Sequence, residues 1–235
     1  MLKRVLIANR GEIALRIIRA CRELDVETVA VWSEADKSAL HAQLATRSLC
    51  VGPARAADSY LNQDAILSAA MATGCDAIHP GYGFLSENPD FADRCAQSGL
   101  KYIGPSGDVI RKLGSKAAAR TLAQSAGVPV VPGSDGPLSN ARQARTLAGQ
   151  VGYPILLKAS AGGGGRGMRQ ADGPEDIDRA WQEARAEAVA CFGDGELYLE
   201  KLVVNPRHIE FQIMADRQGH VVHLGERDCS IQRRR

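Results

Sequence analysis

The chain has 235 residues, of which 45% are hydrophobic and 24% charged, as in an ordinary globular protein of one large or two average domains. Its formal net charge of +2 is too small to indicate a nucleic-acid-binding or polybasic membrane-binding protein. No apolar run approaches the length of a bilayer span, and the apolar run before Asn9 is too short for a signal peptide. The six cysteines include no C-x-x-C pair, so we expect free thiols in a reducing compartment. A cytoplasmic enzyme or binding protein is the expected class.

The first half of the chain alternates short apolar runs with amphipathic segments. Apolar residues recur at helical spacing from Ile13 to Leu24, Asn62 is placed to cap a second helix, and residues 91–97 form a third. The predicted strands cover residues 5–8, 28–32, 76–78 and 101–103. Strand, helix and next strand make a βαβ unit, which builds parallel sheets. Residues 1–113 are therefore predicted to form an open α/β domain with a parallel, Rossmann-like sheet.

Two turns of this domain follow predicted strands. The turn at residues 8–12 lacks the three glycines of the G-x-G-x-x-G fingerprint, which argues against a nicotinamide or flavin enzyme. Residues 79–88 combine two glycines, a proline and two aromatic residues where open α/β sheets place ligand loops. The alternative is a rigid structural turn with Tyr82 and Phe84 in the core.

The second half begins with helices and a connector. Ser115 and Lys116 start an alanine-rich helix that Gly127 ends. Residues 128–137, with three prolines and two glycines, predict an extended connector or hinge. Ser139 is predicted to cap the helix that follows, through about residue 150.

A glycine-rich stretch comes next, and it is the most unusual feature of the chain. Residues 155–157 predict a buried strand that delivers Lys158 to its end, and glycines occupy positions 162–165 before Arg166. Four consecutive glycines contribute nothing to a core, but they let bare backbone amides approach a phosphate. Lys158 and Arg166 flank them with positive charge. The stretch predicts a phosphate-binding loop; a flexible loop with two incidental cations is the alternative.

The last part of the chain predicts one helix and three strands. The helix has apolar residues at helical spacing from Ile177 to Ala184, and a strand over 197–202 carries Glu200 and Lys201 near its end. Residues 208–214 alternate strictly, with His208, Glu210 and Gln212 on the polar face, and residues 220–226 predict the partner strand.

Six runs of the sequence resemble one family closely. They are LIANRGEIALRIIRA (6–20), AIHPGYGFLSEN (77–88), GVPVVPGSDGP (127–137), KASAGGGGRGM (158–168), NPRHIEFQI (205–213) and GERDCSIQRR (225–234). Their order and content resemble the biotin carboxylase component of biotin-dependent carboxylases, an ATP-grasp enzyme. The resemblance implies a pre-ATP-grasp domain over 1–113, then an incomplete ATP-grasp α+β domain over 114–235 with a glycine-rich lid at about 130–203.

The resemblance also implies a two-step reaction. ATP phosphorylates bicarbonate to carboxyphosphate, and the activated CO₂ then passes to the ureido nitrogen of biotin. The implied small molecules are ATP with Mg²⁺ or Mn²⁺, bicarbonate, and biotin as carrier-bound substrate. The implied partners are a biotin carboxyl carrier protein or domain, a carboxyltransferase component and a second copy in a homodimer. Neither nucleic acid nor a membrane is expected as a partner.

Site residues follow from the same resemblance. Those implied to bind the nucleotide are Lys116, Lys158, Gly164, Gly165, Glu200, Lys201, Leu202, Val203, His208 and Arg235. Lys116 and Lys158 would contact phosphates, the two glycines would close over them, and residues 200–203 would lie at the adenine and ribose. Glu210 and Gln232 would be catalytic, and Tyr82 and Gly83 would border the biotin pocket.

Two departures from the family pattern limit what the chain is expected to do alone. Arg235 occupies a position that is commonly histidine, and its hydrogen-bonding and proton-transfer options differ. The family's magnesium-binding carboxylates, its bicarbonate-binding residues and its biotin-binding arginine are expected beyond residue 235, so no metal ligand is expected here. Magnesium neutralises charge on transferring phosphates. We therefore expect the 235-residue chain alone to be inactive.

Two alternatives stay open. Another ATP-grasp ligase of the carbamoyl-phosphate synthetase type would share the lid and Lys158. An inactive nucleotide-binding or interaction fragment would use the first helix, where Arg16, Arg19 and Glu23 share one side, although solvated charge explains those three residues equally well.

Overall fold

The computed structural model describes residues 2–114, 116–160, 167–216 and 218–231, and gives no side-chain description for residues 116 and 117. The chain divides into two compact units, residues 1–119 and 120–235, and each is described by itself. Within the described ranges, no helix is long and apolar enough to cross a membrane.

The N-terminal unit is an open parallel sheet with helices, as the alternation of the sequence predicts. Its strands are β1 (Arg4–Ile7), β2 (Glu27–Ser33), β3 (Arg47–Gly52), β4 (Ala77–His79) and β5 (Lys101–Tyr102). Its helices are α1 (Gly11–Glu23), α2 (Leu40–Leu44), α3 (Gln63–Ala72), α4 (Pro89–Gln97) and α5 (Gly107–Gly114). The strand order is β3-β2-β1-β4-β5, with every neighbouring pair parallel. The edge strand β3 was not predicted, because half of its residues are exposed and its apolar pattern is therefore weak.

The central strand β1 is buried on both faces of this sheet. Leu6 packs into one apolar cluster, whereas Val5 and Ile7 pack with the buried stripe of α1. That stripe consists of Ala14, Ile17, Ile18 and Cys21. Leu24 was expected to continue the stripe but is 72% exposed, because α1 ends one residue earlier and Leu24 is its C-cap.

The C-terminal unit is α+β. Helix α6 (Lys116–Ser125) contains the boundary between the units, and the elements that follow are α7 (Ala141–Val151), β6 (Ile155–Ala159), β7 (Met168–Ala171), α8 (Ile177–Phe192), β8 (Leu197–Lys201), β9 (Ile209–Ala215) and β10 (Val221–Asp228). Strands β7-β6-β8 form an antiparallel sheet, and β9 and β10 form a separate antiparallel pair. The buried face of the sheet packs on small and aromatic residues of α7 and α8, including Ala144, Ala148, Ala184 and Trp181. The predicted fold class is confirmed.

Two local predictions in this unit need correction. The cap of α7 is Asn140, whose Oδ1 accepts the Gln143 N–H at 2.9 Å, and not Ser139. Ser139 instead donates its own N–H to Gln143 Oε1 at 2.8 Å. Gln143 thus bonds to both residues before the helix, much as the third residue of a capping box does. Its side chain bonds to the N–H of the residue before the cap and not to that of the cap itself.

The predicted connector is extended, but it is fastened to β8 and does not form a free hinge. The Ser134 N–H donates to Leu199 O at 2.8 Å, and the Leu199 N–H returns a bond to Ser134 Oγ at 3.1 Å. Between these bonds, a Cβ on Gly133 would lie 2.2 Å from Leu199 O, so only glycine fits. Backbone bonds at 2.7–2.8 Å from Leu138 to Leu197 and from Lys201 to Pro132 extend the contact along the strand.

Asp36, after β2, is the most heavily hydrogen-bonded carboxylate of the N-terminal unit. It accepts bonds from the Tyr60 hydroxyl at 2.7 Å, the Ser33 hydroxyl at 3.0 Å and Arg10 Nη1 at 3.0 Å. Burial acts to raise the pKa of Asp36, but the hydrogen bonds from Tyr60, Arg10 and Ser33 together with the Arg10 charge outweigh it, so the pKa lies below its ordinary value.

This pKa predicts a loss of stability in acid. A lowered native pKa contributes stability above the unfolded-state pKa of about 3.9, and that contribution is lost as pH falls through the native value. We expect the wild type to exceed Asp36→Asn in urea midpoint at pH 6, and the difference to shrink by pH 3. Trp32 fluorescence in a Trp181→Phe background would report it. Asp25→Asn, at an exposed turn, is the control and should track the wild type at both pH values; an equal Asp36→Asn deficit at both would contradict the prediction.

Candidate functional site

The three-stranded sheet of the C-terminal unit has one covered face and one open face. Alternation along β6 turns Ile155, Leu157 and Ala159 toward α7 and α8, and turns Leu156 and Lys158 the other way. Arg169 of β7 marks the covered side, because it forms ion pairs with Glu183 and Glu187 of α8. The open face therefore carries Lys158 in the middle strand of this sheet.

Lys158 forms an ion pair with Glu200 on the open face. Lys158 lies opposite Tyr198 and Leu156 lies opposite Glu200, so the two charged side chains meet diagonally between β6 and β8. Their side chains are only 25% and 22% exposed. Glu200 is therefore a partly buried, paired carboxylate and not an exposed charge at a strand end. A phosphate that binds at this face would compete with the Glu200 carboxylate for the Lys158 ammonium.

The structure adds Tyr198 and Arg120 to this region, which the sequence analysis did not single out. Burial raises the pKa of Tyr198 to about 12, the Glu200 charge adds to the shift and the Arg120 charge opposes it. The Arg120 guanidinium donates to Val131 O at the start of the connector. Both had a usable signal: Tyr198 is two residues before Glu200 on a strand, and Arg120 is one helical turn after Lys116.

Of Lys201, only the backbone carbonyl is available to a ligand, because the backbone N–H already donates to Pro132 O. Its ammonium donates to Gly152 O at 2.9 Å and to Tyr153 O at 2.6 Å, beyond the end of α7. Its carbonyl oxygen points to the edge of β8 away from β6, since the neighbouring Leu202 N–H makes the bond to Pro154 O on the β6 side. Among the described residues, no acceptor lies within hydrogen-bonding distance of the Val203 N–H. A backbone acceptor and a backbone donor two residues apart suit the edge of a planar base.

The hairpin of β9 and β10 carries His208 and Glu210. Glu210 forms an ion pair with Arg227 directly opposite on β10. The His208 backbone bonds to Ser230 Oγ and Cys229 N at 2.9 and 2.7 Å, which closes the open end of the hairpin. The carboxylate of the predicted polar face is thus already paired with a cation from the same hairpin.

Several predicted site residues cannot be placed. Gly164, Gly165, Gln232 and Arg235 lie outside the described residues, as does the rest of the 161–166 stretch. Lys116 is the first residue of α6, at a helix N-terminus, but its side chain is not described.

Tyr82 and Gly83 lie in the N-terminal unit, after β4. Tyr82 is 62% exposed, which overturns the core alternative for this ring, and its hydroxyl donates to the Glu12 carboxylate. That bond and the Glu12 charge raise the pKa of Tyr82. Gly83 has φ +68°, a conformation that glycine adopts without strain. Phe84 is half-buried and stacks on Tyr60.

Comparison with known families decides the identity of these two units. Residues 1–110 match the model described as biotin carboxylase, N-terminal domain, and residues 115–235 match the carbamoyl-phosphate synthase L chain, ATP binding domain. Biotin carboxylase 1 of Bacillus subtilis is 54% identical over 234 residues, which cover 100% of this chain and 52% of the relative. The chain belongs to the biotin carboxylase family.

Solved biotin carboxylases share its architecture. The Campylobacter jejuni enzyme, solved as a complex with β,γ-ATP, is 52% identical with a TM-score of 0.91, over 99% of this chain and 52% of that one. The biotin carboxylase domain dimer of Hydrogenobacter thermophilus 2-oxoglutarate carboxylase, solved with MgADP, ADP and bicarbonate, is 51% identical with a TM-score of 0.89, over 99% and 51% of the two chains. The chain thus spans about half the length of the relatives it matches.

The described part of the chain provides no obvious metal centre. Within residues 2–114, 116–160, 167–216 and 218–231, no group of three or more His, Cys, Asp or Glu side chains is placed to hold an ion. Glu200 and Glu210, the carboxylates of the predicted site, are each paired with a cation.

Proposed function

We propose that the protein containing this chain carboxylates biotin on a carrier protein or domain, using ATP and bicarbonate through carboxyphosphate. The observation that supports this most is the open face where Lys158 meets Glu200, next to the Lys201 carbonyl and the Val203 N–H at the end of β8. It offers a cation for phosphate and a backbone donor and acceptor for the base within one unit. The ATP-binding domain match and the nucleotide and bicarbonate complexes of the two relatives support the same substrates.

In this proposal, phosphoryl transfer depends on positioning and charge neutralisation by the chain's own residues. Lys158 leaves Glu200 and binds a phosphate, while Lys201 O and Val203 N–H hold the adenine edge, with Leu202 beside them. Glu200, released from Lys158, becomes an acceptor for the ribose hydroxyls. Mg²⁺ or Mn²⁺ would screen the phosphate charge when bound.

The remaining assignments rest on family resemblance. Lys116, Gly164 and Gly165 would bind phosphates, and His208 and Arg235 would lie near the nucleotide. Glu210 and Gln232 would act at the reacting groups, and Tyr82 and Gly83 would border the biotin.

The proposed partners are the biotin carboxyl carrier, a carboxyltransferase component and a second copy of the chain, in the cytoplasm. A dimer is named for the H. thermophilus domain. The exposed side of α1 with Arg16, Arg19 and Glu23 is the proposed contact surface. The carbamoyl-phosphate synthetase alternative has the match of residues 115–235 in its favour, but residues 1–110 match the N-terminal domain of biotin carboxylase.

The test is biotin-dependent ATP hydrolysis with bicarbonate and magnesium, comparing the 235-residue chain with the product of its complete gene. We expect activity in the complete product and none in the 235-residue chain, since the latter spans about half the length of its relatives. Turnover by the 235-residue chain would refute the requirement for further residues. Inactivity of both would refute the proposed function and favour the nucleotide-binding or interaction fragment.

A further inference from the structure

The N-terminal unit has a point in its sheet where open α/β proteins usually bind ligands. In the order β3-β2-β1-β4-β5, the direction of strand addition reverses between β1 and β4. Loops leaving the carboxyl ends of two such strands diverge and leave a crevice between them. Here Asn9 lies in the first of those loops, two residues after β1, and Pro80 begins the other, directly after β4.

Asn9 fills this crevice with its own side chain. It is 3% exposed, and its amide nitrogen donates to Pro80 O at 2.7 Å and Tyr82 O at 2.8 Å. Its side-chain oxygen accepts the Arg10 N–H at 2.8 Å. Both amide hydrogens are therefore used by the protein, and the oxygen already accepts one bond, so the buried side chain is engaged within the fold.

Gly81 permits this close approach from the β4 side. Its φ is +65°, and a Cβ there would lie 2.8 Å from Asn9 Nδ2 and 3.1 Å from Ile13 Cγ1. A side chain at position 81 would therefore push Asn9 out of the crevice and strain the backbone at the same time.

Contacts with two tyrosines hold the remaining part of the loop that follows β4. The ring of Phe84 stacks on Tyr60, with centroids 5.1 Å apart, and Tyr60 is fixed by its bond to Asp36. The Tyr102 hydroxyl donates to Ser86 O at 2.8 Å. The backbone at Tyr82 and Gly83 is thus held from both sides, although Tyr82 itself is exposed.

We propose that Asn9 is a positioning residue: it closes the crevice between β1 and β4 and sets the backbone of residues 80–84, so that Tyr82 and Gly83 present a fixed border to carrier-bound biotin. The inference rests on the proposed function for its substrate. It assigns to the first turn of the chain, which lacks the dinucleotide fingerprint, a role in shaping the neighbouring loop.

The test is Asn9→Asp in the complete gene product, because aspartate has the same shape but places an acceptor against Pro80 O and Tyr82 O. We expect the KM for biotin to rise about tenfold or more through the loss of two hydrogen bonds, with the KM for ATP unchanged. Amide hydrogen exchange should become faster at residues 81–84. The control is Asn62→Asp, since aspartate caps α3 as well as asparagine does.

The two readouts separate this inference from the proposed function. Wild-type protein without biotin carboxylation would refute the proposed function, whereas unchanged exchange at 81–84 in Asn9→Asp would overturn the positioning role of Asn9. Faster exchange with an unaltered KM for biotin would also overturn it. If Asn9→Asp fails to fold, Gly81→Ala disturbs the same contact from the other loop and should reproduce the selective rise in KM for biotin.

Discussion

Replacing Lys158 with methionine should lower kcat/KM for ATP by roughly 10²–10³-fold in the biotin-dependent ATP hydrolysis of the complete gene product. Methionine keeps most of the side-chain volume. It removes Lys158, the one charged side chain that β6 carries on the open face. Loss of one group that stabilises developing charge typically costs about this factor. Steady-state kinetics at varied ATP concentrations measures the effect.

The ion pair complicates this variant, because Lys158→Met leaves Glu200 without its partner in a partly buried position. The double variant Lys158→Met/Glu200→Gln removes that unpaired charge and should recover thermal stability without recovering activity. Lys112→Met, on the exposed surface of α5, is the matched control for loss of a lysine and should behave as wild type. If the double variant regained activity, the phosphate role of Lys158 would be wrong.

Replacing Leu157 with alanine should destabilise the C-terminal unit by about 2–5 kcal/mol. Leu157 is fully buried, and it holds the middle strand of the sheet against α7 and α8. The loss combines the transfer free energy of the removed atoms with that of the cavity they leave. Urea unfolding followed by Trp181 fluorescence, in a Trp32→Phe background, reports this unit selectively.

Leu156→Ala is the matched control, since the adjacent leucine lies half-exposed on the open face. It should cost clearly less, because solvent already reaches part of the side chain and fills the space. Equal losses in the two variants would contradict the assignment of one covered and one open face to this sheet.

Regular periodicity made much of the fold predictable. The stripe of α8 from Ile177 to Ala184 is buried as expected, and Asn62 caps α3 through a bond to the Ala65 N–H at 3.1 Å. In both cases the signal is local: a helical repeat, or a polar residue placed before one. The order of strands in the N-terminal sheet is not local, and only its parallel character could be predicted.

Site residues were predictable where a charged residue falls on the polar side of an alternating strand. They were not predictable where contacts with residues distant in sequence fix the position of the side chain. Lys158 and Glu200 meet because each lies on the outward side of its strand, but their antiparallel register is set by distant residues. The ammonium of Lys201 could not be placed from sequence, since its acceptors lie at Gly152 and Tyr153. Asn9 gave no signal either, because its partners at Pro80 and Tyr82 are more than seventy residues away.

The most direct test of the proposed function is transfer of ¹⁴C from bicarbonate to free biotin by the complete gene product. We expect acid-labile label on biotin that requires ATP and magnesium and is lost in Lys158→Met. ATP-dependent label in carbamoyl phosphate, with none on biotin, would contradict the assignment and favour the carbamoyl-phosphate synthetase alternative.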